Sequence, residues 1–298
     1  MKGATLFRGR RAVIAVPYLW LLLFFLVPFV IVAKISLATA TIAIPPYGDL
    51  LERLDGQLHW LGNLENYRFL GEDPLYLAAC LGSLKIAAIS TLLCLLLGYP
   101  MAHAIARARP EWQRVLLLLL MMPTWTAILI RVYAWLGILS PHGLLNSLLQ
   151  GLGLTGQPLA LLNSDTAVYI GVVYAYLPFM VLPLYASLVR HDPALLEAAA
   201  DLGAHRLTCF WRITVPLSRN GIVAGCMLVF IPAMGEFVIP ELLGGPETLM
   251  IGKVLWQEFF NNRDWPVASA LAVVMLVILT LPVLLFNRNQ SRELEGRP

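Results

Sequence analysis

Long apolar runs alternate with more polar segments along the chain, and they fall at about 12–36, 77–104, 114–138, 166–189, 218–241 and 267–286. A helix rises 1.5 Å per residue, so about 20 apolar residues cross a hydrocarbon core of roughly 30 Å. Because lipid offers no partner to exposed backbone groups, helices are the expected element. The pattern predicts an all-α integral membrane protein with six transmembrane helices.

The first apolar run follows several basic residues, which is also the pattern of a cleaved signal peptide. Ala38-Thr39-Ala40 resembles a cleavage site. The uncharged stretch from Ala12 to Ala33, however, is longer than the roughly 7–15 residues of a signal-peptide core and is long enough to span a bilayer. We therefore expect an uncleaved first transmembrane helix.

The composition agrees with a membrane protein. Hydrophobic residues make up 59% of the 298 residues and charged residues 13%, against about 45–50% and 25% in soluble domains. So few polar residues cannot cover a water-soluble fold of this size. The four cysteines form no CxxC pair, which argues against a disulfide framework or a zinc site.

The distribution of basic residues predicts the orientation. Fourteen of the 21 lysines and arginines lie within 2–11, 107–114, 190–219 and 288–297. Basic residues are enriched on the cytoplasmic side of membrane proteins. Both termini and the loop at 190–217, named the elbow below, are therefore expected in the cytoplasm.

The elbow is a polar interruption between the fourth and fifth apolar runs. Asp192 suits a helix N-cap and Pro193 the first helical position, so a short helix should run to about Asp201 and end at Gly203. A second short helix is expected from Ala204 to Thr214, with the turn into span five at Pro216. The sequence thus predicts a helix-turn-helix outside the membrane.

Two roles for this helix-turn-helix remain open. Small side chains at Ala198 and Ala199 would let a partner approach the backbone, with Glu197 meeting a donor on that partner and Phe210 and Trp211 acting as apolar anchors. Alternatively, the segment lies flat on the membrane with both aromatic rings among the headgroups.

The elbow resembles a known family. Glu197-Ala198-Ala199, Gly203, Ile213, Val215 and Pro216 match the EAA-x3-G-x9-I-x-L-P signature of permease subunits of binding-protein-dependent ABC importers, with Val215 in place of the usual leucine. The resemblance covers about 78–286 and implies a type I ABC importer permease whose elbow is the coupling helix that docks on a cytoplasmic ATPase. The expected ATPase-coupling residues are Glu197, Ala198, Ala199, Gly203, Phe210, Trp211, Ile213 and Pro216.

Further stretches resemble the polyamine branch of this family, including putrescine permeases. They are PTWT at 123–126 with IRVY at 130–133, and GEFVIPELLGGP at 235–246 with its continuation to 266. The resemblance implies putrescine or spermidine as the cargo in the bacterial inner membrane. The implied partners are a homologous second permease, a cytoplasmic ATPase dimer, a periplasmic polyamine-binding protein and membrane lipid, and nucleic acid is not expected.

These expectations divide the chain along its length. The divisions are a cytoplasmic tail at 1–11, a first transmembrane helix at 12–36, a periplasmic loop at 37–76, a five-helix permease core at 77–286 that includes the elbow, and a cytoplasmic tail at 287–298.

Because the implied cargo is cationic, carboxylates and aromatic rings near the outer halves of the spans are candidate residues of its pathway. Glu236 lies in the outer part of span five. A carboxylate costs about 2.5–3.5 kcal/mol near the bilayer centre and less toward the interface, so Glu236 is expected to face a polar cavity or a partner such as Arg131. Glu241 and Asp165 are expected in the outer vestibule or loops. Lys85 and Arg131 are expected to pair with acids or to extend toward the interface.

Aromatic rings attract ammonium groups and tolerate methylenes, which makes Trp125, Tyr133, Tyr174 and Tyr176 candidates for the cargo pathway. For any one of these rings, helix packing or a place in an aromatic belt at the interface is the favoured alternative. For Glu236, a place in the pathway and a structural ion pair both remain open.

Catalysis is not expected in this chain. The sequence contains no GxxxxGK[ST] phosphate loop, so ATP and Mg²⁺ should be bound by a partner ATPase, and no cofactor or metal is expected here. Other cargoes of an ABC permease (an amino acid, iron or an oxyanion), an ion-coupled secondary transporter and a membrane enzyme are the alternatives.

Overall fold

The computed structural model describes residues 13–54 and 57–295. Most of these residues are helical. The helices are α1 (Val13–Ile35), α2 (Glu65–Glu72), α3 (Pro74–Arg107), α4 (Pro110–Met121), α5 (Ile128–Leu139), α6 (Leu144–Gly151), α7 (Asp165–Leu188), α8 (Ala194–Asp201), α9 (Arg206–Leu217), α10 (Arg219–Met234), α11 (Val238–Leu243), α12 (Ile251–Trp256) and α13 (Trp265–Glu295).

The chain divides into two compact units. The first contains the described residues of Met1–Leu77 together with Leu255–Ile278, and the second contains Ala78–Val254 with the described residues of Leu279–Pro298. All residues of the elbow and all candidate pathway residues belong to the second unit.

The first unit contains a feature that the all-α prediction missed. Strands β1 (Leu51–Leu54) and β2 (Gln57–Trp60) form an antiparallel hairpin in which Leu51 lies opposite Trp60. The side-chain amide of Asn66 on α2 donates to the carbonyl oxygens of Ser36 and Ala38, at 2.9 and 2.8 Å. These bonds tie α2 to the chain that leaves α1. The prediction failed because short strands produce no long apolar run.

The core of the second unit lies around α7 and α10. Met180, Val181 and Leu184 on α7 have no exposed surface. Gly221 and Gly225 are one turn apart on α10, and a Cβ on Gly225 would lie 2.7 Å from the Met180 sulfur. Small residues at this spacing let two membrane helices approach closely. The glycine pair thus sets the contact between α7 and α10.

Two of the expected spans are interrupted. The run at 114–138 is split into α4 and α5 by a 3-10 turn at Met122–Trp125 and by extended backbone at Thr126. Pro123 in that turn has no N–H to donate, which disfavours a continuous helix. The run at 218–241 is split after Met234, at Gly235 and Glu236, before α11 begins.

Several helices are long and apolar enough to cross a membrane. Among the described residues, these are Val13–Ile35, Pro74–Arg107, the broken stretch Ile128–Gly151 and Asp165–Leu188. A fifth is obtained if α9 and α10, bent by 66° at Ser218, are counted as one span. The apolar part of α13, Trp265–Thr280, is shorter. The structure therefore supports a helical membrane protein with four to five spanning elements.

Candidate functional sites: the elbow and the buried carboxylate

The elbow folds locally as its sequence predicts. The Asp192 carboxylate accepts the N–H of Ala194 at 3.0 Å, at the start of α8. After α8, Gly203 adopts a positive φ of 79°, its N–H bonds the carbonyl of Ala200, and the N–H of Ala204 bonds that of Ala199. These two bonds form a Schellman motif, in which a left-handed residue closes a helix. Gly203 therefore ends α8 and redirects the chain.

The second helix of the elbow differs from its predicted bounds. Helix α9 begins at Arg206 and contains a π-helical turn at Phe210–Thr214 before it continues to Leu217. Pro216 lies inside α9, and the bend into α10 comes at Ser218 instead. The Ser218 hydroxyl is buried and lies 2.8 Å from the Tyr99 hydroxyl. The predicted turn at Pro216 is thus shifted by two residues.

The elbow presents several apolar side chains at its surface. Trp211 is 62% exposed, Leu202 is 90% exposed and Leu207 is 70% exposed. Glu197 and Ala198 are exposed, whereas Ala199 and Ile213 are half-buried. Two neighbouring leucines, Leu195 and Leu217, are about half exposed. This much apolar surface on one short segment is typical of an interaction site.

Phe210 and Trp211 are adjacent in sequence but face different surroundings. The Phe210 ring makes edge contacts with Tyr99 and His103 on α3, with ring centroids 5.4 and 6.1 Å apart. Phe210 therefore anchors α9 to its own chain. Trp211 remains exposed.

A cleft of about 500 Å³ lies between the elbow and the ends of α3 and α7. Arg107, Asp192 and Glu197 bring charges of both signs to its lining. The Nε2 atom of His191, also in the lining, is buried without a hydrogen-bond partner among the described residues. Glu197 and the basic side chain of Arg107 thus line one cleft at the edge of the elbow.

Glu236 is a buried carboxylate with 8% of its surface exposed. One oxygen accepts the Tyr176 hydroxyl at 2.5 Å. The other accepts the backbone N–H groups of Val238 and Ile239, at 3.1 and 3.4 Å, so that Glu236 caps α11. Hydrogen bonds from three donors compensate much of the cost of burying this charge. Sequence reasoning selected both Tyr176 and Glu236, and the structure brings them together.

Arg131, the partner considered from sequence, is not among the donors to Glu236 described above. Its Nε atom is buried, and no hydrogen-bond partner for it occurs in the described part of the chain.

The other two carboxylates pair with lysines. Asp165, the first residue of α7, accepts the Thr248 hydroxyl at 2.8 Å and lies 3.6 Å from the Lys85 ammonium. The Glu241 carboxylate lies 3.4 Å from the Lys253 ammonium. Sequence reasoning expected Lys85 to find an acid, but it assigned no role to Lys253 or Thr248. No local signal could have identified these two residues, because Thr248 is far in sequence from Asp165 and Lys253 lies on a different helix from Glu241.

The remaining aromatic candidates are exposed or pack against another ring. Trp125 is 72% exposed and Tyr133 is 58% exposed. Tyr174 packs edge-on against Trp135, with ring centroids 5.4 Å apart. Tyr176 is thus the candidate ring that the structure places against a candidate carboxylate.

Residues 235–254, named the closed segment, fold tightly onto their own unit. Ile239, Leu243, Met250 and Ile251 have no exposed surface. A Cβ on Gly252 would lie 2.5 Å from the carbonyl oxygen of Gly235 and 2.8 Å from that of Glu236. Real Cβ atoms do not approach a carbonyl oxygen so closely, so only glycine fits at 252 without a backbone shift. The closed segment is therefore held in one arrangement around Glu236.

The chain is similar in sequence to known bacterial transport proteins. The chain is 38% identical to the spermidine/putrescine transport system permease protein PotB of Haemophilus influenzae over 293 residues, which covers 96% of this chain and 97% of that protein. It is 45% identical to PotB of Escherichia coli K12 over 237 residues, covering 78% and 86% of the two chains.

The fold also has a counterpart among solved structures. The crystal structure of a bacterial ABC transporter involved in the import of the acidic polysaccharide alginate aligns with a TM-score of 0.70, covering 95% of this chain and 96% of that one. The sequence identity is 17%, so this likeness concerns the fold alone.

The family that the elbow signature indicates is supported by a match over nearly the whole chain. The family model described as "Binding-protein-dependent transport system inner membrane component" matches residues 11–295. The resemblance noted from Glu197 to Pro216 is thereby confirmed. This chain belongs to the family of inner membrane components of binding-protein-dependent transport systems.

Proposed function

We propose that this chain is the transmembrane permease subunit of an ATP-driven importer of polyamines, with putrescine or spermidine as the cargo. The observation that carries the proposal is the high identity to two spermidine/putrescine permeases, one of them along almost the entire chain. The buried pair of Glu236 and Tyr176 supports it, because a carboxylate beside an aromatic ring suits an alkyl ammonium.

The translocation path is shared with a second, homologous permease, and this chain forms half of it. A periplasmic polyamine-binding protein delivers the cargo to the outer face. The candidate pathway residues are Glu236, Glu241, Asp165, Trp125, Tyr133, Tyr174 and Tyr176. Of these, Glu241 and Asp165 are partly exposed and can meet a soluble cation first, whereas Glu236 requires the cation to lose water.

The elbow docks on one copy of the cytoplasmic ATPase dimer, which binds ATP and Mg²⁺. The exposed Trp211 and Leu207 provide apolar contacts, and Glu197 provides a charge for a basic group or an amide on the ATPase. The buried contact of Phe210 with Tyr99 joins α9 to α3, so movement of the elbow is transmitted to a spanning helix. ATP binding thereby biases the spans between inward-open and outward-open states.

In the membrane, the chain forms six spans with both termini in the cytoplasm of the bacterial inner membrane. Helix α10, which follows the elbow, supplies the fifth span, and α13 supplies the sixth. The excess of basic residues at 2–11, 107–114, 190–219 and 288–297 supports this orientation.

The test is uptake of labelled putrescine and spermidine by cells that lack their own polyamine importers. The cells receive this chain with its ATPase, second permease and binding protein, or the same set without this chain. Uptake that requires this chain supports the proposal, and the preferred label identifies the cargo. If the four proteins assemble but import neither polyamine, the proposed cargo is wrong.

A further inference from the structure

The pair formed by Glu241 and Lys253 bridges two short helices of the closed segment. The Lys253 ammonium lies 3.4 Å from the Glu241 carboxylate, and the lysine side chain is 15% exposed, whereas that of Glu241 is 48% exposed. We propose that Lys253 occupies Glu241 as a tethered substitute for a substrate ammonium, so that a polyamine must displace Lys253 to bind there. This inference rests on the polyamine function proposed above.

Of the two glutamates, Glu241 is the one that a soluble cation can reach. Glu236 is 8% exposed, and its oxygens already accept hydrogen bonds from Tyr176 and two backbone groups. The Glu241 carboxylate is half exposed, and its side-chain partner in the described part of the chain is Lys253. An arriving ammonium therefore competes with one lysine at Glu241, but with several fixed donors at Glu236.

The position of Lys253 is set by its neighbours along α12. Gly252 fits against the carbonyl oxygens of Gly235 and Glu236, Val254 is 2% exposed, and the N–H of Ile251 donates to the Ser83 hydroxyl at 2.8 Å. Glu241 is placed by α11, whose first N–H groups are held by Glu236. Both members of the pair are thus mounted on elements with little freedom to move.

The chemistry of lysine fits this role. Its side chain consists of four methylenes that end in an ammonium, and the aminobutyl arm of a polyamine has the same composition. Exchanging one ammonium for another leaves the charge at Glu241 unchanged, and the released Lys253 ammonium regains its hydration. An ion pair with a partly exposed partner is weak enough for a multivalent cation to displace.

The experiment measures equilibrium binding of labelled spermidine to the complex of this chain, its second permease and its ATPase in lipid nanodiscs. The binding protein is omitted and the ionic strength is kept low. Lys253→Met keeps most of the side-chain volume and removes the charge, so we expect spermidine to bind about two- to fivefold more tightly. Lys253→Arg keeps the competing cation and should bind no more tightly than wild type.

The controls separate competition at Glu241 from a general change of charge. Lys34→Met removes a lysine charge at an exposed position of the first unit and should leave the affinity unchanged. In a Glu241→Gln background, Lys253→Met should no longer improve binding, because the contested carboxylate is gone. This double-mutant cycle isolates the pair.

The inference is overturned if Lys253→Met binds spermidine no better than wild type, if neither binds measurably, or if the gain persists with Glu241→Gln. Measurable binding by Lys253→Met alone supports it. Uptake by the wild-type transporter is assayed in parallel. Failure of wild-type uptake contradicts the proposed function, whereas normal uptake with an unchanged affinity contradicts only the role of Lys253.

Discussion

The elbow and the closed segment flank the same helix, α10, and their side chains have opposite surroundings. In the elbow, Leu202 is 90% exposed and Trp211 is 62% exposed. In the closed segment, Ile239 and Ile251 have no exposed surface. Burial of apolar area stabilises a fold by about 25 cal/mol per Å². The closed segment gains this stabilisation within its own chain, while the elbow can gain it only from another surface.

The closed segment therefore contains residues that maintain the structure, and the elbow contains residues that are available for assembly. Substitutions in the closed segment should lower stability before they affect any partner. Substitutions on the exposed face of the elbow should affect a partner and leave stability unchanged.

The largest expected effect on stability is at Glu236. Glu236→Leu leaves the Tyr176 hydroxyl and the N–H groups of Val238 and Ile239 without their acceptor. Each buried unsatisfied group costs about 1–3 kcal/mol, so we expect a loss of at least about 3 kcal/mol, measured as a lower midpoint of thermal unfolding in detergent. Glu236→Gln keeps an acceptor oxygen and should lose less. Equal midpoints for the two variants would contradict the capping role.

The next effect is at Gly252. Gly252→Ala places a methyl group against the backbone oxygens of Gly235 and Glu236, and such overpacking costs about 1–3 kcal/mol. Gly137→Ala is the matched control, since a Cβ at Gly137 meets no described atom within 4 Å. The thermal midpoint should fall for Gly252→Ala and stay within error for Gly137→Ala. If both variants unfold at the same temperature, the closed segment is less tightly packed than described.

A smaller effect is expected at the turn of the elbow. Gly203→Val forces a β-branched residue into a left-handed conformation, at φ 79°, which costs about 1–2 kcal/mol locally. Polyamine uptake should fall, while the global unfolding midpoint changes little because the elbow buries few side chains. Gly203→Asn tolerates the same conformation and should retain most uptake. Equal uptake by the valine and asparagine variants would show that the turn geometry is not required.

The smallest effect on stability is expected at Trp211. Trp211→Ala removes an exposed ring and should change the free energy of unfolding by no more than about 0.5 kcal/mol. Recovery of the ATPase with the purified permease should nevertheless decrease. Phe210→Ala, the adjacent substitution, should instead lower the unfolding midpoint because that ring contacts Tyr99. If Trp211→Ala lowers the unfolding midpoint and Phe210→Ala lowers only the recovery of the ATPase, the two rings have the opposite roles to those assigned here.

Local rules account for what the sequence predicted well. Asp192 and Gly203 mark the two ends of α8 because capping depends on residues adjacent in the chain. The apolar runs located the main helices for the same reason. The family signature in the elbow relies on fixed spacing and was visible without a structure.

Features that depend on tertiary packing could not be predicted. The pairing of Tyr176 with Glu236 joins α7 to the break before α11, the pairing of Lys253 with Glu241 joins α12 to α11, and no periodicity encodes either one. Hydropathy also missed the split of the third run near Pro123, because an interrupted helix and a continuous one are equally apolar. The close contact of Gly252 with Gly235 depends on how the closed segment folds back.

The proposed docking of the elbow on the ATPase relies on the charge of Glu197, and Glu197→Arg reverses that charge. The variant is expressed with the second permease and the ATPase, and both the ATPase recovered with the complex and polyamine uptake are measured. We expect normal insertion of the chain, reduced recovery of the ATPase and uptake reduced about tenfold or more. Normal recovery together with normal uptake would contradict it.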